Sequence, residues 1–165
     1  MLLFSRIRRY YDRIAAELRL GSLPTAHPEP DRTERPVLVP MEDVGAMTGH
    51  ALSTALGLGE AEAIIACSDE HRARTLRDQW THWNPGVPLR TPSSPHEARI
   101  RPIVDYTRKT LAQETRSVIV LIPIVESKHP SYRFLHDQWS LLLAEALREQ
   151  APGALVCLLP HKPPA

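Results

Sequence analysis

The sequence predicts an α/β domain in which a five-stranded, mostly parallel sheet is covered by helices on both faces. Short runs of continuously apolar residues recur along residues 36–165, and stretches with helical spacing of apolar residues separate them. Strands that are apolar throughout are typical of sheets buried on both faces, and a helix between successive strands is the usual crossover in a parallel sheet. Because such crossovers are right-handed, the pattern indicates a doubly wound fold.

Composition agrees with one folded domain and excludes several classes of protein. The chain has 165 residues, a net charge of +1, 42% apolar residues and 24% charged residues, which fits a soluble, core-forming chain. The longest apolar run, Val118–Val125, is far shorter than the ~18 residues of a membrane span. Two cysteines, Cys67 and Cys157, are too few for a disulfide framework. The sequence therefore predicts a soluble, cytoplasmic domain.

The first 35 residues are predicted to precede this domain. Apolar residues recur every three or four positions in residues 1–20, and five arginines against Asp12 and Glu17 give this segment a local charge of +3. It is a predicted amphipathic helix that either packs on the domain or lies beside a membrane, with its arginines at the cytoplasmic surface. Residues 21–35 are a predicted proline-rich linker, and residues 36–165 are the predicted α/β domain.

In the first half of the domain, three apolar runs predict strands and two periodic stretches predict helices. The predicted strands are Pro36–Pro40, Ala63–Cys67 and Val87–Arg90. The predicted helices are Val44–Leu56 and Asp69–Trp83. We expect Gly57 and Gly59 to end the first helix and Ser68 to cap the second.

The second half adds two strands and two helices. Ser94-Pro95-His96-Glu97 has the spacing of a capping box with proline at the first helical position, so it predicts a helix that continues to about Gln113. Pro102 should bend or restart that helix. The predicted strands are Ser117–Val125 and Ala154–Leu159, and a helix is predicted from Pro130 to Gln150.

Two loops that follow strands are candidate ligand sites. Open α/β sheets bind ligands beyond the carboxyl ends of their strands, where the strand order reverses. The loop after the first strand carries Glu42, Asp43 and Gly45, and the loop after the fourth carries Ser127 and Lys128 ahead of a helix. Gly45, with Gly49 one turn later, would let the helix start approach the sheet or a ligand, and the second loop suits an anion. Ordinary loop and capping roles are the alternative for both.

The sequence contains none of the common catalytic, metal or phosphate-loop motifs. It lacks G-x-x-x-x-G-K-[ST], H-E-x-x-H, C-x-x-C and G-x-S-x-G. No glycine lies between Val87 and Pro152, which excludes a glycine-rich phosphate loop after the fourth strand. We therefore predict no catalytic residue, no metal and no cofactor.

The predicted helix Asp69–Trp83 combines arginines with tryptophans, a composition that can bind nucleic acid. The residues concerned are Arg72, Arg74, Arg77, Trp80 and Trp83. Three acidic residues of the same helix offset the charge, so a solvated helix face is the favoured interpretation and no nucleic-acid partner is predicted.

Several segments together resemble a known family. They are Arg35–Val44, Leu76–Trp80, Arg101–Tyr106, Val118–Pro123, Leu135–Gln138 and the Arg/Tyr-rich stretch Ile7–Arg13. In their order along the chain, with the proline-rich linker after Ile7–Arg13, these segments resemble the cytosolic C-terminal domain of actinobacterial permeases of the APC (amino acid–polyamine–organocation) superfamily. These permeases are related to the KimA-type potassium importers, and the resemblance covers essentially the whole chain.

The resemblance implies a universal-stress-protein-like domain with strand order 3-2-1-4-5 and a regulatory or dimerising role rather than catalysis. It implies a homodimer through the edge strand, at Leu155, Val156, Cys157, Leu158 and Leu159. It further implies attachment to a membrane transporter body, or to the inner membrane surface, through residues 1–20. Some KimA-like members respond to cyclic di-AMP, which is thus a candidate ligand, although no residue motif carries it over.

The implied strand order separates the two cysteines by three strand spacings, or roughly 14 Å. This is beyond disulfide reach, so we expect Cys67 and Cys157 to be free and buried. Two other functions stay open: a stand-alone universal-stress-type nucleotide-binding protein and a small enzyme on a flavodoxin-like sheet. The missing phosphate loop counts against the first, and the missing catalytic set counts against the second.

Overall fold

The chain alternates five strands with four helices in the part that the structure describes. The structure is a computed structural model, and it describes residues 35–67, 69–92, 99–114, 117–125 and 138–161. The strands are β1 (Pro36–Pro40), β2 (Glu60–Ile64), β3 (Leu89–Arg90), β4 (Ile119–Val125) and β5 (Leu155–His161). The helices are α1 (Ala46–Leu58), α2 (Glu70–Trp83), α3 (Arg101–Gln113) and α4 (Gln138–Gln150).

The five strands form one parallel sheet in the order β3-β2-β1-β4-β5. The α/β fold and the strand order are therefore confirmed. The order reverses between β1 and β4, so the chain winds to one side of β1 and then to the other. The longest ladder joins β4 to β5 along seven residue pairs, from Ile119–Leu155 to Val125–His161.

The core consists of one apolar layer on each face of the sheet. On β1, Val37 and Val39 face α1 and α2, whereas Leu38 faces α3 and α4. All three side chains have no exposed surface, and full burial of one such side chain contributes about 1.5–3 kcal/mol. The alternation of one strand between two helix layers explains why its sequence is apolar without interruption.

Strand β2 lies three residues earlier than predicted, at Glu60–Ile64 instead of Ala63–Cys67. It pairs with β1 from Pro36–Glu60 to Pro40–Ile64. Its two glutamates made the segment look unlike a buried strand. Glu60 is exposed at the start of the strand, and Glu62 has cationic and hydroxyl partners described below.

Helix α1 continues through Gly57 and ends at Leu58, with Gly59 as its C-cap, so the predicted end at Leu56 is too early. A Cβ atom at position 59 would clash with the carbonyl oxygen of Arg35. The same carbonyl accepts the N–H of Glu60 at 2.9 Å. Position 59 therefore requires glycine, because the chain leaves α1 there and the next residue begins the pairing of β2 with β1.

Other element boundaries differ from the predictions by a few residues. Asp69 caps α2, because its Oδ1 accepts the N–H of His71 at 2.9 Å; the predicted cap, Ser68, lies outside the described residues. Pro102 lies in the first turn of α3, which begins at Arg101, so of the two predicted effects of this proline the start of a helix is the one that fits. The predicted capping box at residues 94–97 and the predicted helix start at residues 130–137 are also outside the described residues.

Both cysteines are free, as predicted, but they are partly rather than fully buried. Cys67 follows the end of β2, and Cys157 lies on the edge strand β5. Each packs at the margin of the apolar layer under α1 and α2. The expectation of burial was wrong for two reasons. Cys67 lies beyond the end of β2, and Cys157 lies on the last strand of the described sheet, so neither side chain is covered on all sides.

A polar network ties β2, β3 and α3 together. The carboxylate of Glu62 accepts a hydrogen bond from Arg90 Nη2 at 2.8 Å and one from the Tyr106 hydroxyl at 2.7 Å. Burial raises the pKa of Tyr106 above its ordinary value, and the hydrogen bond to Glu62 raises it further. The hydrogen bond to Glu62 also raises the pKa of Arg90. These partners explain how a glutamate is accommodated in a strand of the sheet.

We predict that Tyr106→Phe lowers the free energy of unfolding by about 1–2 kcal/mol at neutral pH, because it removes a hydrogen bond to a charged group. Since the folded-state pKa is raised, this contribution is complete below the unfolded pKa near 10.0 and is lost as the pH rises through the folded pKa. The variant should therefore approach the wild type in alkaline solution. Urea unfolding at neutral and alkaline pH measures both effects.

The matched control for this prediction is Thr110→Val on the same helix. The Thr110 hydroxyl donates only to the backbone carbonyl of Tyr106, at 3.0 Å, so its loss should change stability by no more than about 0.5 kcal/mol. Equal stability of wild type and Tyr106→Phe at neutral pH would contradict the prediction.

Candidate functional site

The loop after β1, a predicted ligand site, lies at the carboxyl edge of the sheet, beside the point where the strand order reverses between β1 and β4. Glu42 and Asp43 are exposed in this loop, and Gly45 is the N-cap of α1 without a side-chain capping bond. The Thr48 hydroxyl of α1 donates to the Asp43 carbonyl at 2.8 Å and holds the loop against the helix. The other two predicted ligand residues, Ser127 and Lys128, lie outside the described residues.

The two glycines of this region do not bring α1 closer to the sheet. A Cβ atom on Gly45 would meet only Asp43 Oδ1, at 3.8 Å, and one on Gly49 would meet the Trp83 ring at 3.6 Å. Both distances are ordinary contacts. Gly49 therefore lies under the indole of Trp83 on α2.

Two arginines that the sequence analysis did not select converge on Glu42. Arg99 Nη1 donates to Glu42 Oε1 at 3.0 Å, and Arg72 Nη2 donates to the Glu42 carbonyl at 3.3 Å. Arg72 belongs to α2, and Arg99 precedes α3. The side chains of Arg99 and Glu42 are 50% and 42% exposed. An ion pair this exposed contributes at most about 1 kcal/mol, so an anionic ligand can displace the carboxylate at low cost.

A cleft of about 150 Å³ opens beside these arginines, beyond the ends of β1 and β2. Its polar lining consists of Glu42, Cys67, Asp69, Arg72 and Arg99. Cys67 Sγ donates to the Asp69 carbonyl at 3.3 Å. Two guanidinium groups beside one cleft suit a phosphate or carboxylate, because guanidinium binds such groups with paired hydrogen bonds.

Trp139, at the start of α4, forms a wall of this cleft. It also lines a smaller cleft of about 60 Å³ between the ends of β1 and β4, and a groove between α3 and α4. Its indole N–H is buried, with no hydrogen-bond partner among the residues described. An unsatisfied buried donor costs about 1–3 kcal/mol. A rearrangement that gave this N–H a hydrogen-bond acceptor would recover that cost.

The described residues contain no other group with obvious catalytic or metal-binding chemistry. No cluster of three or more histidine, cysteine, aspartate or glutamate side chains is placed to hold a metal ion within those ranges. In the same ranges, no helix has the length and apolar character needed to cross a bilayer. The cleft of about 150 Å³ that Arg72 and Arg99 line, called the carboxyl-edge cleft below, is therefore the best candidate for a ligand site.

The second candidate feature is the edge strand. Among the described strands, β5 pairs with β4 alone and so lies at the edge of the sheet, as predicted. Leu155 is 55% exposed, and the next four residues, Val156, Cys157, Leu158 and Leu159, are partly buried. At the far end of the strand, the His161 ring lies 5.6 Å from that of His50 on α1.

The chain matches a known family. Residues 32–161 match the family model described as the KimA potassium transporter C-terminal domain. The matched range includes all five strands, all four helices, the carboxyl-edge cleft and the edge strand. No curated protein matches the chain.

Proposed function

Because the chain belongs to the family of KimA potassium transporter C-terminal domains, we propose that it is a non-catalytic, cytoplasmic regulatory and dimerisation domain of a potassium transporter. The family match over the whole sheet carries this proposal. The fold alone would not, since doubly wound sheets serve many unrelated functions. Two arginines that line a small cleft support the binding of an anion.

We propose that this domain senses an anionic nucleotide such as cyclic di-AMP at the carboxyl edge of the sheet. Arg72 and Arg99 would bind the phosphate groups, and Glu42, Asp43 and Gly45 would line the site beside them. Ser127 and Lys128, from the loop after β4, would complete it. Exchange of the Glu42 carboxylate for a phosphate replaces one charge-assisted hydrogen bond by another, so the protein loses little when the ligand enters.

A cleft of about 150 Å³ is smaller than the usual 300–1,000 Å³ of small-ligand pockets. Full entry of a nucleotide therefore requires the Trp139 side chain to move, so that the cleft becomes continuous with the smaller cleft and the groove that Trp139 also lines. The unpartnered indole N–H makes the present position of Trp139 less favourable than one with a hydrogen-bond acceptor.

We predict that the full chain binds cyclic di-AMP and that Arg72→Ala with Arg99→Ala weakens this affinity at least about tenfold, as expected when two charged contacts are removed. The matched control is Arg74→Ala, which lies on the same helix but pairs with Glu70 at 3.3 Å and does not line the cleft. Its affinity should stay within about twofold. Calorimetry with cyclic di-AMP, cyclic di-GMP and ATP measures these affinities.

Two results would contradict this nucleotide proposal. One is the absence of binding to all three nucleotides. The other is an equal loss of affinity in the control, which would indicate general charge attraction. Folding should not confuse the result, because breaking the exposed Arg99–Glu42 pair changes stability by less than about 1 kcal/mol.

We propose further that β5 forms the interface of a homodimer. Its apolar, uncharged stretch, residues 155–159, is the last strand of the described sheet, and the backbone of such an edge strand can pair with another strand. Pairing of two β5 strands about a two-fold axis is self-complementary, so every interface residue contributes twice.

A charge on β5 is therefore predicted to dissociate the dimer. Leu155→Lys and Leu158→Lys should both shift the mass measured by light scattering toward the monomer, because the two-fold axis repeats each introduced lysine on both strands and so places two unpaired charges in an apolar interface. Leu142→Lys, at a 60% exposed position of α4, is the control and should leave the dimer intact. A wild-type monomer at high micromolar concentration, or dissociation caused only by Leu142→Lys, would refute an interface at β5.

We propose also that residues 1–20 connect the domain to a transporter body or to the membrane surface. This proposal rests on their sequence alone, in which five arginines accompany an apolar stripe. Each arginine near an anionic membrane surface contributes about 1 kcal/mol of attraction.

Deletion of residues 1–34 should then abolish binding to phosphatidylglycerol-containing vesicles and leave the melting temperature nearly unchanged. Sedimentation with anionic and with neutral vesicles measures the first effect, and circular dichroism measures the second. A large fall in the melting temperature would instead mean that the segment belongs to the core of the domain.

A further inference from the structure

A further cavity lies between α3 and α4, outside the carboxyl-edge cleft. It is an open groove of about 630 Å³, and its lining includes Arg101, Val104, Asp105 and Arg108 of α3 and Trp139 and Gln150 of α4. The last two residues are eleven positions apart on one helix, which corresponds to about 16 Å along its axis. The groove is therefore as long as three turns of helix.

The α3 side of the groove has a regular pattern. Its residues are spaced at positions i, i+3, i+4 and i+7 from Arg101, so they share one face of the helix. The two arginines at the ends of this set are two turns, or about 10 Å, apart. Between them, Val104 is buried and contributes almost no accessible surface. The apolar surface of the groove comes from the partly buried side chains of Ile100 and Trp139.

The arginines are available to a partner. Arg101 Nε is 3.8 Å from Asp105 Oδ2, and the Arg101 side chain is 83% exposed, so this ion pair contributes little. Arg108 is exposed and has no ion-pair partner among the described residues. The α3 face thus carries two cations against one anion. Arg99, at the end of the groove, is already paired with Glu42.

We infer that this groove binds an amphipathic helix of a partner protein that carries acidic residues two turns apart beside an apolar stripe. Acidic side chains at that spacing would match Arg101 and Arg108, while the apolar stripe would contact Ile100 and Trp139. This is the helix-in-groove mode of recognition, in which anchors at helical spacing enter an apolar trough. It depends neither on the nucleotide site nor on the β5 dimer proposed above.

Two other occupants fit the groove less well. A small ligand is usually buried over 70–90% of its surface, whereas this groove is open along one side, and its two α3 arginines are too far apart to grip one phosphate. A membrane is flat, whereas the apolar surface of the groove is recessed between two helices and carries Asp105 at its rim.

The test uses the full chain and a fluorescein-labelled helical peptide of about 16 residues, or some 24 Å. The peptide has leucines on one face and two glutamates seven positions apart beside them. We expect saturable binding by fluorescence anisotropy, and binding at least about tenfold weaker to the double variant Arg101→Glu, Arg108→Glu. A peptide of equal composition with its glutamates on the opposite face should bind as weakly.

The matched control variant is Lys109→Glu, which reverses an exposed charge on the same helix away from the groove and should change the affinity less than about twofold. A peptide with lysines in place of the glutamates should regain binding to the double variant, a recovery that a misfolded chain would not show. Absence of peptide binding to the wild type, or an equal loss in the control, would overturn the proposal. Binding of tripolyphosphate or of phosphatidylglycerol vesicles that depends on Arg101 and Arg108, without peptide binding, would also overturn it.

Discussion

The burial of β1 on both faces is the constraint on which the rest of the structure depends. Val37, Leu38 and Val39 have no exposed surface, and successive side chains enter opposite apolar layers. A shift of one residue in this strand would exchange the two sets of contacts and disrupt both layers. The contact of Gly59 with the Arg35 carbonyl holds the register of β2 against β1. The carboxyl ends of the strands therefore meet at one edge, and the Glu42 loop emerges there.

The sequence pattern predicted the elements whose determinants are local. β1 was predicted at its observed bounds because its residues are uniformly apolar between prolines, whereas the order of the strands came from the family resemblance. β2 was placed three residues late because Glu62 does not look like a strand residue. Its partners, Arg90 and Tyr106, follow it by 28 and 44 positions, so no local pattern could show that this carboxylate is satisfied.

The residues of the candidate site also fall into two groups, those that the sequence could indicate and those that it could not. Glu42, Asp43 and Gly45 could be selected because a loop after a buried strand has a known place in this fold class. Arg72 and Arg99 could not, since they reach Glu42 over 30 and 57 positions of the chain. Arg72 was interpreted as part of a solvated helix face, and in sequence Arg99 is one of many arginines. Tertiary proximity, not residue type, distinguishes these two from the others.

The clefts at the carboxyl edge and the groove between α3 and α4 are physically connected through shared side chains. Arg99 lines both the larger cleft and the groove, and Trp139 lines these two and the smaller cleft. A ligand that draws Arg99 away from Glu42 therefore changes the charge at one end of the groove, and movement of Trp139 changes its apolar surface. If binding in the cleft alters the affinity of the groove for a partner, the partner alters the affinity of the cleft by the same factor, because linkage is reciprocal. A ligand that leaves Arg99 and Trp139 in place does not alter the groove through these two side chains, so it does not change the affinity of the groove for a partner in this way. The capacity of this domain to regulate would thus depend on how differently the two side chains are placed with and without a ligand.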